Sequence, residues 1–280
     1  MRRADLPDIC SRTLFVKCAE RIQDLENREE LLAHKDEVET LAEEYVNAAK
    51  KRLLAEISPA TIFWNVPKET WKNLYKSQMS RPKGRARDEY DIIIAKGSGK
   101  LCPYCSVTPV KTVDHFLPQS KFPQYTVLPA NLVGACSDCN KEKDATSSEA
   151  LTDQFFHPYF ESVGGRWLKV EVHEERPACV TYQVEGGTGL DGVTEIRAEN
   201  QFRKLKLGPL YASLAVDELA SYEWVFNELR NKGGPNELRL HLENQVKSFH
   251  EAIYPVEWKV ALYEGLAESE WFCEGGFKFH

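Results

Sequence analysis

Two C-x-x-C pairs near the middle of the chain constrain its fold more than any other feature. The pairs are Cys102/Cys105 and Cys136/Cys139, and both lie within residues 101–146. Four thiolates in two pairs form the ligand set of a closed, tetrahedral zinc site, which stabilises a fold and leaves no position for a substrate. The spacing therefore predicts one structural zinc ion that holds a small core together.

The remaining cysteines and the apolar residues of the chain favour a reducing, aqueous compartment. The other cysteines are isolated in the sequence: Cys10, Cys18, Cys179 and Cys273. In a reducing cytosol, paired C-x-x-C motifs are typical of metal sites and isolated cysteines are free thiols. Residues 1–12 lack the apolar centre of a secretory signal, and no apolar run approaches the ~20 residues of a membrane helix. We therefore expect a cytoplasmic protein that does not associate with a membrane.

Four polar residues lie between the cysteine pairs or just after them: Asp114, His115, Asn131 and Asn140. Side-chain oxygen atoms of Asp and Asn suit a hard cation such as Mg²⁺ or Mn²⁺. Histidine suits a general base, because its ordinary pKa lies closest to neutrality. A divalent cation can stabilise the charge that develops when a phosphodiester is hydrolysed, and it can help the leaving oxygen depart. The pattern therefore indicates a metal-dependent nuclease site.

The same residues carry a resemblance to a known family. The run CPYC…VDHFLPQS…NLVGACSDCNKEKDAT resembles the HNH endonucleases, whose ββα-metal core is often stapled by a zinc ion on four cysteines. The resemblance implies that His115 is the general base and that Asn131 supports the loop and orients this base. It further implies that Asp114 and Asn140 hold one Mg²⁺ or Mn²⁺. The resemblance covers residues 101–146 and describes only this central module.

Periodicity outside this module predicts an α+β protein in which a small metal core lies between mainly helical regions. Three parts are expected, covering residues 1–97, 98–147 and 148–280. Three- to four-residue spacing of apolar residues predicts helices, and alternation predicts a hairpin. The expected helices span residues 12–57, 61–79, 88–95, 198–230 and 235–267, and the expected strands span 167–172 and 179–184. Gly186 to Gly192 is expected to be a loop, and Gly233-Gly234-Pro235 to be a break between helices.

The charge distribution gives candidate contacts to nucleic acid. The chain has a net charge of −7, but the stretch from Trp71 to Arg87 has basic residues and no acidic one. Phosphate binding depends on such local Lys and Arg. Lys141 and Lys143 follow the second cysteine pair at the start of an expected helix, where basic side chains and backbone amides favour phosphate. The candidate contacts are Arg81, Lys83, Arg85, Arg87, Lys141 and Lys143, and the expected substrate is DNA, with RNA not excluded.

An acidic chain with one basic stretch is consistent with a nuclease that another protein brings to its substrate. The layout of the whole chain resembles nuclease subunits of Septu-type anti-phage systems, in which an HNH protein works with an ATPase partner. One site of this kind cuts one strand, so a double-strand cut requires a homodimer or two successive nicks. An alternative is a zinc-ribbon adaptor that binds nucleic acid or protein without chemistry. Two roles are compatible with His157: it packs the segment after the core, or it contributes to the nuclease site.

Overall fold

The computed structural model describes residues 1–96, 101–144, 150–185, 190–252 and 256–277. The chain forms two compact units, Met1–Ser162 and Val163–His280. Helices and small antiparallel sheets occur together, which confirms the predicted α+β class. The predicted domain boundaries, between residues 97 and 98 and between residues 147 and 148, lie outside the described residues.

The N-terminal region of the first unit contains three helices, where the sequence predicted one helix over residues 12–57. They are α1 (Ser11–Ala19), α2 (Leu25–Ala33) and α3 (Val38–Lys50), followed by a helical turn at Leu54–Glu56. The Asp24 side chain accepts a hydrogen bond from the Asn27 backbone N–H and so begins α2 as an N-cap. The prediction was wrong because apolar spacing continues across the breaks while this capping residue starts a new helix.

A small hairpin precedes the next helices. Strands β1 (Ile62–Phe63) and β2 (Val66–Pro67) pair through a turn at Trp64 and Asn65, both of which have positive φ angles. The predicted helix over residues 61–79 was therefore wrong at its start, because helix geometry requires negative φ. Helix α4 (Lys68–Leu74) follows the hairpin and ends in a wide turn at Tyr75–Met79, and α5 (Arg87–Lys96) confirms the helix predicted over residues 88–95.

The central elements form a ββα unit. Strands β3 (Thr112–His115) and β4 (Leu132–Ala135) are antiparallel, with Thr112 opposite Ala135 and His115 opposite Leu132. Helix α6 (Ser137–Lys143) packs on β3, and α5 packs on both strands. The connection between the strands makes short helical turns at Pro123–Tyr125 and Pro129–Asn131. Most of this connection is buried, so it is part of the core of the unit.

The second unit is built on the predicted hairpin. Strands β5 (Leu168–His173) and β6 (Cys179–Val184) pair in antiparallel fashion, which confirms this hairpin. The helices are α7 (Gly192–Lys204), α8 (Leu207–His250) and α9 (Glu257–Glu268), with a wide turn at Phe272–Gly276. Helix α8 packs on β6 and α9 packs on β5.

Two further predictions concern this unit. The expected break at residues 233–235 is a kink within α8, where Gly234 has a φ of 74° and Pro235 follows. Of the predicted loop at residues 186–192, residues 186–189 lie outside the described part of the chain. Within the described residues, no helix has both the length and the apolar character needed to cross a membrane.

The basic segment after α4 is closely packed at Gly84, which lies against the backbone of Gln78. A Cβ atom added at Gly84 would lie 2.1 Å from the carbonyl oxygen of Gln78, and this oxygen also accepts the Ala86 N–H at 2.9 Å. We expect Gly84→Ala to lower the free energy of unfolding by about 1–3 kcal/mol, as forced contacts in packed regions do. Gly192→Ala is the matched control, because a Cβ there meets nothing within 4 Å. Chemical denaturation of both variants checks this, and equal stability of the two would contradict it.

Candidate zinc site and adjoining polar cleft

The four paired cysteines come together as the sequence predicted. Their sulfur atoms all lie within 4.8 Å of one another, and all four residues are buried. The first pair is shaped by a tight turn, in which the Ser106 N–H donates to the Cys102 carbonyl at 2.8 Å. In the second pair, Cys136 caps α6 and its Sγ accepts the Cys139 N–H at 3.4 Å. Backbone hydrogen bonds thus hold the sulfur atoms in place.

The donor set fits zinc. Tetrahedral Zn²⁺ with Zn–S bonds of about 2.3 Å requires sulfur atoms about 3.8 Å apart. The Cys105 and Cys136 sulfur atoms are 4.0 Å apart. Each of the four cysteines offers one sulfur atom to the cluster, and the thiolate is the form of cysteine that binds a metal. Within the described residues, this is the only group of three or more His, Cys, Asp or Glu side chains positioned to hold a metal ion.

A cleft of about 860 Å³ adjoins the cysteine cluster and brings together three of the four predicted catalytic residues. Asp114, His115 and Asn140 all line it. Consecutive residues of a regular strand point to opposite faces, but Asp114 and His115 both reach the cleft, because His115 is the last residue of β3. The cleft is also lined by Lys72, Tyr75, Thr112 and Lys141. Asn131 lies elsewhere, in the connection between the strands.

The hydrogen bond of His115 defines its protonation. Its Nε2 atom lies 2.8 Å from the carbonyl oxygen of Thr126. A carbonyl only accepts, so Nε2 carries the proton and the neutral ring keeps a lone pair on Nδ1. Burial lowers the pKa of His115 from 6.5 to about 4, and the ring is therefore neutral near pH 7. The edge of the Tyr75 ring packs on the imidazole, with ring centroids 4.5 Å apart.

Asp114 is a buried carboxylate with two hydrogen-bond donors. The Tyr104 hydroxyl donates to Oδ2 at 2.8 Å, and the Lys143 ammonium lies 3.1 Å from the same atom. Lys143 also donates to the carbonyl oxygen of His115 at 2.8 Å. Burial raises the pKa of Asp114, and the charge of Lys143 opposes this effect. Tyr104 lies within the first cysteine pair, so its hydroxyl connects the cysteine cluster to the cleft.

The orientation of Asn140 follows from its neighbours. The Thr112 hydroxyl donates to the Ala135 carbonyl at 3.1 Å, so its oxygen atom is an acceptor for the Asn140 Nδ2, which is also 3.1 Å away. With Nδ2 engaged in this way, the Oδ1 atom of Asn140 remains as a possible metal ligand. The side chain is at the same time one of the polar contacts that join α6 to β3, with Lys143 as another.

Asn131 is a scaffold for the connection between β3 and β4. Its Oδ1 accepts the Leu117 N–H at 2.7 Å and the Tyr45 hydroxyl at 2.8 Å. Its Nδ2 donates to the carbonyl oxygens of Leu117, at 3.0 Å, and Tyr125, at 3.1 Å. The side chain is fully buried and makes four hydrogen bonds. It supports the backbone next to Thr126, the acceptor of His115.

The predicted contacts to nucleic acid divide into three groups. Arg81, Lys83 and Lys141 are exposed, and Lys141 lines the cleft. Arg85 pairs with Glu20 and Arg87 with Asp91. Lys143 was predicted to face phosphate, but it is only 2% exposed and its ammonium binds Asp114. That prediction is corrected, because α6 turns this side chain towards β3 and away from solvent.

Several residues that shape the cleft were not among the predicted site residues. Lys72 and Tyr75 line it, and Tyr104 and Thr112 hold Asp114 and Asn140. Lys72 belongs to the basic stretch, and Tyr104 lies inside the CPYC motif, so their positions gave a signal. Thr126 contributes a backbone carbonyl, for which no side-chain pattern exists.

We expect a serine at position 136 to abolish zinc binding and unfold the first unit. Zinc sites of this type contribute apparent binding energies of about 10–16 kcal/mol, and loss of one thiolate removes a large part of this. Cys136→Ser should therefore contain less than one zinc ion per chain by elemental analysis and lose its cooperative thermal transition. Cys10→Ser is the matched control, because Cys10 is exposed and outside the cluster. Full zinc content in Cys136→Ser would contradict the assignment.

The free energy of unfolding should decrease as the pH falls below about 6.5. Burial lowers the pKa of His157 from 6.5 to about 3. The unfolded chain therefore binds a proton that the folded chain does not, and this histidine costs roughly 1.4 kcal/mol per pH unit within that window. Urea denaturation of His157→Gln should show a shallower pH dependence than the wild type. The cysteines contribute equally to the pH dependence of both proteins, so their contribution cancels in the comparison. Parallel curves of unfolding free energy against pH would contradict the prediction.

The comparisons with known proteins give one relative. Over 296 aligned positions, the chain is 24% identical to protein ea31 of Escherichia phage lambda, and the alignment covers 98% of this chain and 100% of that protein. No family model matches the chain, and no solved structure matches it. The chain is thus similar to a phage protein over both of its compact units.

Proposed function

We propose that the chain is a metal-dependent HNH endonuclease that hydrolyses phosphodiester bonds of DNA. The observation that carries this proposal is the state of His115. Its Nε2–H is committed to the Thr126 carbonyl, and the ring is neutral and lines the same cleft as Asp114 and Asn140. A neutral imidazole with a lone pair on Nδ1 is what a general base requires.

In the proposed reaction, Nδ1 of His115 takes a proton from water as the water oxygen attacks phosphorus. The imidazolium that forms keeps its Nε2–H bond to Thr126, and this bond becomes stronger because the donor is then charged. The Thr126 carbonyl therefore stabilises the product of the proton transfer as well as the starting tautomer. The bond between phosphorus and the leaving oxygen breaks, and the leaving oxygen then takes up a proton.

Asp114 and Asn140 are the residues that would hold one Mg²⁺ or Mn²⁺. When bound, such an ion supplies positive charge to the phosphate oxygens and to the leaving oxygen. Their oxygen atoms are suitable donors, since a carboxylate accepts several contacts and the Asn140 amide has its Nδ2 directed to Thr112. Lys143 holds the Asp114 carboxylate in place. Its charge also neutralises part of that carboxylate, which lowers the affinity for a cation.

A few cations near the cleft are candidates for contact with nucleic acid, although Asp144 also lines the cleft and Lys72 pairs with Glu69. Lys72 and Lys141 line the opening, and Arg81 and Lys83 are exposed in the basic stretch. These few cations on a chain of net charge −7 favour weak binding by the chain alone. We propose that a protein partner, such as the ATPase of an anti-phage system in the cytoplasm, brings the nuclease to DNA.

A second candidate function is favoured by the Asp114–Lys143 ion pair. This pair is buried, at 4% and 2% side-chain exposure, and the Tyr104 hydroxyl completes it. A carboxylate satisfied in this way serves a purely structural role as well as a catalytic one. The chain would then be a zinc-stabilised adaptor that binds nucleic acid or a partner and performs no chemistry.

A plasmid cleavage assay distinguishes the two functions. With zinc-loaded protein and added Mg²⁺ or Mn²⁺, we expect nicked plasmid from the wild type and a decrease of about 10²–10⁴-fold in rate for His115→Ala, the usual contribution of a general base. His250→Ala is the matched control, because His250 is exposed in α8. Equal cleavage by His115→Ala and wild type would refute the mechanism.

The metal requirement is tested in the same assay. Cleavage should disappear without Mg²⁺ or Mn²⁺ while elemental analysis still finds one zinc ion per chain. This result distinguishes the catalytic metal from the structural one. A wild-type chain that retains zinc, binds DNA and never cleaves it, alone or with an ATPase partner from its own operon, would favour the adaptor. An RNA substrate run in parallel shows which nucleic acid is cut.

A further inference from the structure

His157 lies after the zinc site in sequence but packs directly behind the strand that contains His115. It is fully buried, and its ring centroid is 4.1 Å from that of Phe116, the residue that follows His115. The Tyr159 N–H donates to its Nδ1 at 3.3 Å. Burial lowers the pKa of His157 to about 3, so the ring is neutral. A neutral ring that accepts at Nδ1 carries its proton on Nε2.

Tyr45 connects this histidine to Asn131. Its hydroxyl oxygen lies 3.2 Å from the His157 Nε2 and 2.8 Å from the Asn131 Oδ1. The Asn131 Oδ1 only accepts, so the Tyr45 hydroxyl donates to it and its oxygen is left to accept from the His157 Nε2–H. The His157 ring also has a hydrogen bond with the backbone of Ala130. Tyr45 comes from α3 and is fully buried. Burial raises its pKa well above 10, which keeps the hydroxyl protonated as a donor.

Asn131 connects Tyr45 to the backbone segment that contacts His115. It donates to the Tyr125 carbonyl at 3.1 Å and binds both backbone groups of Leu117. The next residue after Tyr125 is Thr126, and its carbonyl oxygen accepts the Nε2–H of His115. The four hydrogen bonds of Asn131 each have one direction, so they define the orientation of its amide.

We infer that Tyr45 and His157 are positioning residues, which act through Asn131 to hold the Thr126 carbonyl against the Nε2–H of His115. The Nδ1 lone pair of His115 thereby faces the cleft. This effect on the tautomer stands on geometry alone, whereas its effect on the cleavage rate rests on the proposed nuclease function. Packing alone would explain the burial of both residues but predicts no influence on the tautomer of His115.

The test uses the full, zinc-loaded chain labelled with ¹⁵N-histidine. Long-range ¹H–¹⁵N spectra report which ring nitrogen carries the proton, and His115→Gln and His157→Gln assign the two signals. We expect the Nε2–H tautomer for both histidines in the wild type. Tyr45→Phe removes only the hydroxyl and should move His115 to a mixture of tautomers. In the plasmid assay its kcat should fall about tenfold, part of the 10²–10⁴-fold range of general-base catalysis, with an unchanged KM for DNA.

Ile93→Val is the matched control, because Ile93 is buried in the core of the same unit and lies outside the series of hydrogen bonds. It should lower the thermal midpoint to a similar extent and leave the tautomer and kcat of the wild type. If Tyr45→Phe keeps the Nε2–H tautomer of His115, or if Ile93→Val shifts it equally, the inference is overturned. If the wild type cleaves nothing, the spectra still decide the positioning role, while the nuclease proposal fails separately.

Discussion

The β3–β4 hairpin carries the candidate site and depends on constraints from outside the sheet. Each strand has four residues, and an isolated two-stranded sheet of this size is marginal in water. The cysteine cluster joins the chain before β3 to the start of α6, at the end where Thr112 faces Ala135. Asn131 joins the opposite end, where the connection leaves His115. The geometry of the cleft therefore depends on a metal-binding cluster at one end and on one side-chain amide at the other.

Burial gives the two central residues of the cleft different electrostatic states. His115 is neutral, because desolvation outweighs its hydrogen bond to Thr126. Desolvation acts on Asp114 as well, but there the Lys143 ammonium opposes it and stabilises the carboxylate. Two adjacent residues of one strand thus differ in charge, because burial keeps His115 neutral while a buried cation stabilises the charge of Asp114. The exposed ion pairs of the basic stretch, such as Arg85 with Glu20, are screened by solvent and contribute little to this balance.

The sequence predicted those parts of the fold whose signal is local. The two C-x-x-C pairs, the β5–β6 hairpin and helix α5 each leave a pattern within a short window, and the α+β class follows from them. It also selected Asp114, His115 and Asn140, which the fold brings to one cleft. The helix expected over residues 12–57 was wrong, because a 3.6-residue period does not record where a cap such as Asp24 interrupts it.

Lys143 and Tyr45 illustrate contacts that a local sequence pattern does not predict. Lys143 follows a cysteine pair in a charged run, and only the packing of α6 on β3 decides that its ammonium is buried. The hydroxyl of Tyr45 binds Asn131, 86 positions further along the chain. Such a contact depends on tertiary packing, and an apolar spacing that places Tyr45 inside a helix is equally compatible with a surface or a core position.

These contacts join residues that are far apart in the sequence, which affects how much of the chain would have to be transferred to move the site into another protein. Residues 101–146 contain the four cysteines together with Asp114, His115 and Asn140, and this segment looks as if it could be transferred alone. The amide of Asn131, however, is held from Tyr45 on α3, and the ring of His115 is packed by Tyr75. A transfer of residues 101–146 alone would leave out Tyr45 and Tyr75, the side chains that contact Asn131 and His115. The contacts of the candidate site therefore extend from Tyr45 to His157, a much longer segment than the one that contains the sequence motif.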